Sequence, residues 1–145
     1  MKVFIADDSS AIRERLRSMI SEMYGISIIG EAADGQDAID GILHYDPDVV
    51  ILDLRLPKIN GIEVMVSIKK QSVLSKIIIF TNYPTQQYLQ RCMEEGADHF
   101  LRKTKDLEKL IRILKNYQKL VDGKEPNSII GDNRVGAMRS KKKYS

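Results

Sequence analysis

The sequence holds a single cysteine, Cys92, so no disulfide can close within the chain and a cross-linked scaffold is excluded. No apolar run approaches the roughly 18 residues that a membrane span needs. The opening MKVFIADDSS reaches two aspartates where the apolar stretch of a secretory leader would still be running, so a cytoplasmic protein is expected, with no membrane partner. His44 and His99 lack metal-ligand spacing, which leaves both as ordinary residues. DDSSAIRE comes after the first apolar run, where a nucleotide or flavin module would place a glycine-rich phosphate loop. There is no internal repeat.

The 145 residues, 43% hydrophobic and 30% charged, describe one globular domain with a core large enough to need no staple. The net charge of +3 divides unevenly. Residues 123–145 hold six basic side chains against Glu125 and Asp132, a net +4, whereas residues 1–122 hold 17 basic and 18 acidic groups. The expected organisation is therefore a domain over 1–122 and a basic, flexible tail or linker remnant over 123–145. A run such as Lys141–Lys143 is read as a solvated terminus, and no direct nucleic-acid binding is expected from it.

Periodicity alternates five times between strand and helix. The spacing predicts strands over Lys2–Asp7, Ile26–Ala33, Asp48–Asp53, Lys76–Thr81 and Asp98–Leu101. Helices are expected over Ser10–Tyr24 (capped by Ser9 or Ser10), Gln36–Tyr45, from Ile62 onward, Thr85–Glu95 and Asp106–Val121. Ala38, Ile39, Ile42 and Leu43 should form one buried face; Leu107, Leu110, Ile111, Leu114 and Tyr117 should form another. Met19, Met23, Met65 and Met93 are read as packing residues. A (βα)5 order predicts an α/β fold with a doubly wound, five-stranded parallel sheet.

In such sheets ligands bind beyond the carboxyl ends of the strands. Asp7 and Asp8, Asp53, Thr81 and Lys103 are thereby brought to one edge. Clustered carboxylates repel and need a partner. Lys103 and a divalent cation are the two available, and an all-oxygen set favours Mg²⁺, with Mn²⁺ as the alternative, over zinc. Such a site suits phosphoryl chemistry.

The DD pair at 7–8, DLRLPKINGIE from Asp53, FTN at the end of the fourth strand and GADHFLRK ending at Lys103 each say little alone. In this order, on this frame, they are specific. The chain resembles the receiver domain of bacterial two-component response regulators, over residues 2 to about 121, and so a flavodoxin-like fold. The resemblance implies that Asp53 is the phosphoacceptor, attacking a phosphohistidine of a sensor histidine kinase or phosphotransferase. It implies that Asp7, Asp8, Asp53 and the backbone carbonyl of Arg55 bind the metal. Lys103 would pair with Asp53 and then with a phosphoryl oxygen, and Thr81 would bond the transferred group. Thr81 and Phe100 would be the switch, altering a face of the fourth helix, fifth strand and fifth helix toward a downstream protein or a second copy.

Some positions depart from the family pattern. Phe100 stands where tyrosine is frequent, Asn82 where a small residue is common, and Thr104 where many relatives have proline. Arg55 and Tyr83 are expected to flank the phosphoryl group and slow the water that hydrolyses it. Gly61 and Pro57 are read as shaping the loop after Asp53. Two other functions fit less well. A Mg²⁺-dependent phosphatase with Asp53 as nucleophile would want a general acid at 55, where Arg stands. A receiver cut from a longer DNA-binding regulator would share every feature up to Val121 and differ only past it.

Overall fold

A computed structural model describes residues 1–122; the expected basic tail, 123–145, lies outside the described residues. The strands are β1 (Lys2–Ala6), β2 (Ser27–Ala32), β3 (Val49–Leu52), β4 (Lys76–Thr81) and β5 (His99–Arg102). The helices between them are α1 (Ser10–Ser21), α2 (Gly35–Tyr45), α3 (Gly61–Lys70), α4 (Gln86–Glu94) and α5 (Leu107–Asp122). All strand pairs are parallel, in the order β2-β1-β3-β4-β5. The order turns at β1, where the carboxyl ends of β1 and β3 lie side by side, the place where sheets of this kind bind ligands.

Alternation along the strands explains the two layers of core. Val3 and Ile5 of β1 point to one side, with Ile51, Ile78, Phe80 and Leu101, against Leu16 and Ile20 of α1 and Leu110 and Leu114 of α5. Phe4 and Ala6 point to the other, with Val50, Leu52, Ile77 and Ile79, against α2, α3 and Cys92 of α4. β3 is buried at every position, as its continuous VVIL requires.

The differences from expectation are local. α1 ends at Ser21 rather than Tyr24, because Tyr24 is almost wholly exposed and offers nothing to bury, and Gly25 comes next with a positive φ. Asp34, Asn60 and Thr85 are caps, each accepting a backbone N–H of the first helical turn, so α2 starts at Gly35 and α4 at Gln86. Leu43 is exposed, and Gly35 completes the buried face of α2 in its place. On α5, Ile113 rather than Ile111 joins the core layer. Met93 is exposed, while Met65 is fully buried as expected. The Lys103–Thr104 peptide is trans. Among the described residues no helix is long and apolar enough to cross a membrane.

Candidate functional site

The parallel register brings the ends of the strands level. Ala6 pairs with Leu52, Leu52 with Ile79 and Thr81 with Arg102. The ladder then runs one residue further: Asp53 N–H donates to Ala6 O at 2.9 Å, Lys103 N–H to Thr81 O at 2.9 Å, and Asp7 N–H to Ala32 O at 3.0 Å. Asp7, Asp53 and Lys103 are thus each the first residue past a strand, held by the sheet.

Their side chains meet. Lys103 Nζ lies 2.6 Å from Asp7 Oδ2 and 2.9 Å from Asp53 Oδ2, with all three side chains almost wholly buried. Carboxylate oxygens of Asp7, Asp8 and Asp53 all lie within 4.8 Å of one another, Asp8 being the exposed member. Burial pushes the Asp7 carboxyl above its ordinary value, against the hydrogen bonds from Lys103 and the Ser9 N–H, and the Asp53 charge adds to the rise. For Lys103 burial acts downward, but the hydrogen bonds to Asp7 and Asp53 outweigh it and the net direction is up. One ammonium between two buried carboxylates, with a third at the rim, leaves excess negative charge and oxygen donors only. That donor set fits a hard divalent cation.

The β1–α1 junction spares Asp8 for this purpose. Ser9, not Asp8 or Ser10, caps α1, its hydroxyl accepting the Ile12 N–H at 3.2 Å. Ser9 N–H in turn donates to Asp7 Oδ1 at 2.9 Å. After Asp53 the chain turns sharply, and Gly61 N–H donates to Leu54 O at 2.9 Å. A Cβ on Gly61 would stand 2.2 Å from the Asp53 carbonyl oxygen, so only glycine permits this close approach beneath Asp53. The Arg55 N–H lies 3.5 Å from Asp53 Oδ1, at the limit of a hydrogen bond.

Thr81 is fully buried at the end of β4, and its hydroxyl accepts the Tyr83 N–H at 3.1 Å. The Arg55 guanidinium stacks 4.3 Å from the centre of the Tyr83 ring, joining the β3–α3 and β4–α4 loops. Asn82 lines a groove of about 450 Å³ with Ile12, Arg15, Lys103, Lys105 and Leu107, between α1 and the β5–α5 loop. Phe100, on β5, is half-buried against the layer that holds α4. His99 shares a 3.0 Å hydrogen bond with Tyr117, and Cys92 is buried with its thiol pushed up to about 11. Sequence patterning does not single out Arg13 and Glu31. Arg13 donates to the carbonyl of Asp7 at 2.8 Å and to Glu31 at 3.2 Å. No motif links two residues 18 apart on different elements, so only the fold reveals the pair.

Residues 3–115 match the response regulator receiver domain family. The chain belongs to that family. It is 31% identical over 124 residues to the transcriptional regulatory protein YvfU of Bacillus subtilis, covering 86% of this chain and 60% of YvfU. The fold is similar to a LuxR-family DNA-binding response regulator from Staphylococcus aureus (TM-score 0.75, 27% identity, 81% of this chain and 98% of that one). It is also similar to a chain of the CheX–CheY–BeF3–Mg²⁺ complex from Borrelia burgdorferi (TM-score 0.68, 28% identity, 79% and 89%). The chain spans about half the length of the curated relatives it matches. A response regulator receiver domain is a phosphoacceptor switch of two-component signalling, and that is the function of the family to which these residues belong.

Proposed function

We propose that Asp53 is the phosphoacceptor of this receiver domain, which spans residues 1–122. The observation that supports this reading best is the buried triangle of Asp53, Asp7 and Lys103, with Asp8 beside it. An oxygen of Asp53 attacks the phosphorus of a phosphohistidine on a sensor kinase or phosphotransferase. The P–N bond breaks, the imidazole takes the electron pair, and an aspartyl phosphate forms. Asp7, Asp8, Asp53 and the Arg55 carbonyl would hold a divalent cation, Mg²⁺ or Mn²⁺. When bound, that cation supplies positive charge to the phosphoryl oxygens as negative charge develops on them. The Borrelia burgdorferi complex, which contains Mg²⁺ and BeF3, supports the assignment by analogy.

Lys103 holds Oδ2 of Asp53 and thereby orients the nucleophile; after transfer its ammonium follows the new charge to a phosphoryl oxygen. The Thr81 hydroxyl donates a hydrogen bond to the transferred group. The movement of Thr81 draws Phe100 inward and changes the surface formed by α4, β5 and α5, which a downstream protein or a second copy reads. The chain thus assists its own phosphorylation and, when water attacks the anhydride, its own reset. It acts in the cytoplasm, and the transcriptional regulators among its relatives favour an output in gene control.

Intact mass tests the acceptor. After incubation with a small phosphodonor and Mg²⁺, wild type should gain one phosphoryl group, and Asp53→Asn should gain none. Equal gain in both would place the acceptor elsewhere.

A further inference from the structure

Asp8 stands apart within the acidic cluster. It is exposed, and among the described residues its carboxylate has no hydrogen-bonding or ion-pair partner. Its direction therefore depends on the backbone that presents it. That backbone is the peptide unit joining Asp7 to Asp8, whose carbonyl oxygen accepts the hydrogen bond from Arg13 Nη1 at 2.8 Å.

Arg13 is itself held in place. Its Nε donates to Glu31 Oε1 at 3.2 Å, and Arg17 Nη1 donates to both oxygens of the same carboxylate at 2.7 and 2.8 Å. Glu31 sits on β2 opposite Ile5, two residues before Asp7, so the network starts from the sheet beside the site. Arg13 and Glu31 are 20% and 22% exposed, shielded enough for the geometry to persist. A planar guanidinium has the forked donors needed to reach a carbonyl and a carboxylate at once.

We propose that Arg13, oriented by Glu31 and Arg17, is a positioning residue that fixes the Asp7–Asp8 peptide and so sets the affinity of the cluster for a divalent cation. The inference rests on the reading that the cluster binds Mg²⁺. It also runs against simple electrostatics, which makes it testable by sign. A guanidinium near a cation site repels the cation, so if Arg13 acted through its charge alone, removing it would tighten binding about two- to threefold. Hydrogen-bond partners that orient metal ligands act oppositely, and losing one weakens binding by about tenfold or more.

Mg²⁺ affinity would be measured by titration calorimetry at neutral pH and fixed ionic strength, well below each variant's melting temperature. Arg13→Ala should bind about tenfold more weakly than wild type. Arg13→Lys, which keeps the charge without the fork, should fall between them. Arg17→Ala should weaken binding about twofold through the loosened Glu31. Tighter or unchanged binding in Arg13→Ala would overturn the role of Arg13 while leaving the metal site intact. Should Arg13→Ala fail to fold, Arg17→Ala decides by the same sign, because Arg17 is half-exposed and touches neither aspartate. A wild type that takes up no Mg²⁺ would instead sink the metal reading itself, and this inference with it.

Discussion

Two loops border Asp53, and they are built in opposite ways. In the β1–α1 loop Asp7 uses its N–H toward Ala32, its carbonyl toward Arg13, one carboxylate oxygen toward Ser9 and the other toward Lys103. In the β4–α4 loop residues 82–85 are exposed, and the Tyr83 N–H to the Thr81 hydroxyl is the bond tying them to the end of the strand. Next along the chain, α4 fully buries only Cys92, whereas α5 buries Leu110 and Leu114 and packs Leu107, Ile113 and Tyr117 beside them. The contrast has a physical logic. Like charges can be gathered only by a frame that is already fixed, while a group that responds to phosphorylation needs neighbours with little packing to lose.

The sharpest way to break the comparison is to remove the cation from the rigid side. Lys103→Met leaves Asp7 and Asp53 buried without their ammonium and should destabilise the protein by about 3 kcal/mol near neutral pH. Asp7 gives the loss a pH signature. Its pKa lies above the ordinary value, so protonation stabilises the folded form below about pH 3.9, and that contribution disappears as pH rises through the folded value. Without Lys103 the Asp7 pKa moves higher still. The gap between variant and wild type should therefore be widest at neutral pH and narrow as pH falls, in denaturant melts run from pH 7 to pH 4. In wild type the raised Lys103 pKa contributes stability below about pH 10.4, which is lost as pH climbs through the folded value. A pH-independent gap would mean that the triangle is not electrostatically coupled.

Thr81→Val probes the looser side with a smaller expected effect. It keeps the buried volume and removes the hydroxyl, at about 1 kcal/mol of stability. If the two loops divide the work as their packing implies, Mg²⁺ affinity stays at the wild-type value while phosphoryl uptake slows about tenfold. A matching fall in Mg²⁺ affinity would show that the loops are not separable.

Much of this site was readable from the sequence because strand ends in a parallel sheet are positions, not contacts. KVFIAD, DVVILD and KIIIFT are continuous apolar runs that end in a polar residue, and the polar residue has to emerge at the carboxyl edge. What the pattern does not encode is which surface residues meet across elements. Arg13 and Glu31 are ordinary charges in their own segments and become a clamp only when α1 lies beside β2. The misplaced faces have the same origin: Leu43 and Ile111 obey helical spacing, but the width of the buried stripe is set by how α2 and α5 sit on the sheet. Helix ends shifted where a side chain capped the turn, as Thr85 does for α4.

The smallest effect concerns a contact that joins the loop after Asp53 to the loose loop. Arg55 and Tyr83 are both exposed, and their stacking at 4.3 Å contributes about 0.5–1 kcal/mol. If, as expected for residues flanking the phosphoryl group, the stacked pair narrows the approach for the water that hydrolyses the aspartyl phosphate, separating the two opens that approach. Arg55→Ala and Tyr83→Ala should therefore each shorten the phosphorylated lifetime about two- to fivefold. Because the restriction belongs to the pair, the double variant should lose no more than either single one. The lifetimes come from the decay of the phosphorylated mass after the donor is removed. Additive losses would show that the two residues act separately, Arg55 through its charge and Tyr83 through its bulk. A longer lifetime in Tyr83→Ala would reverse the picture, with the ring holding Arg55 away from a phosphoryl oxygen that it would otherwise shield.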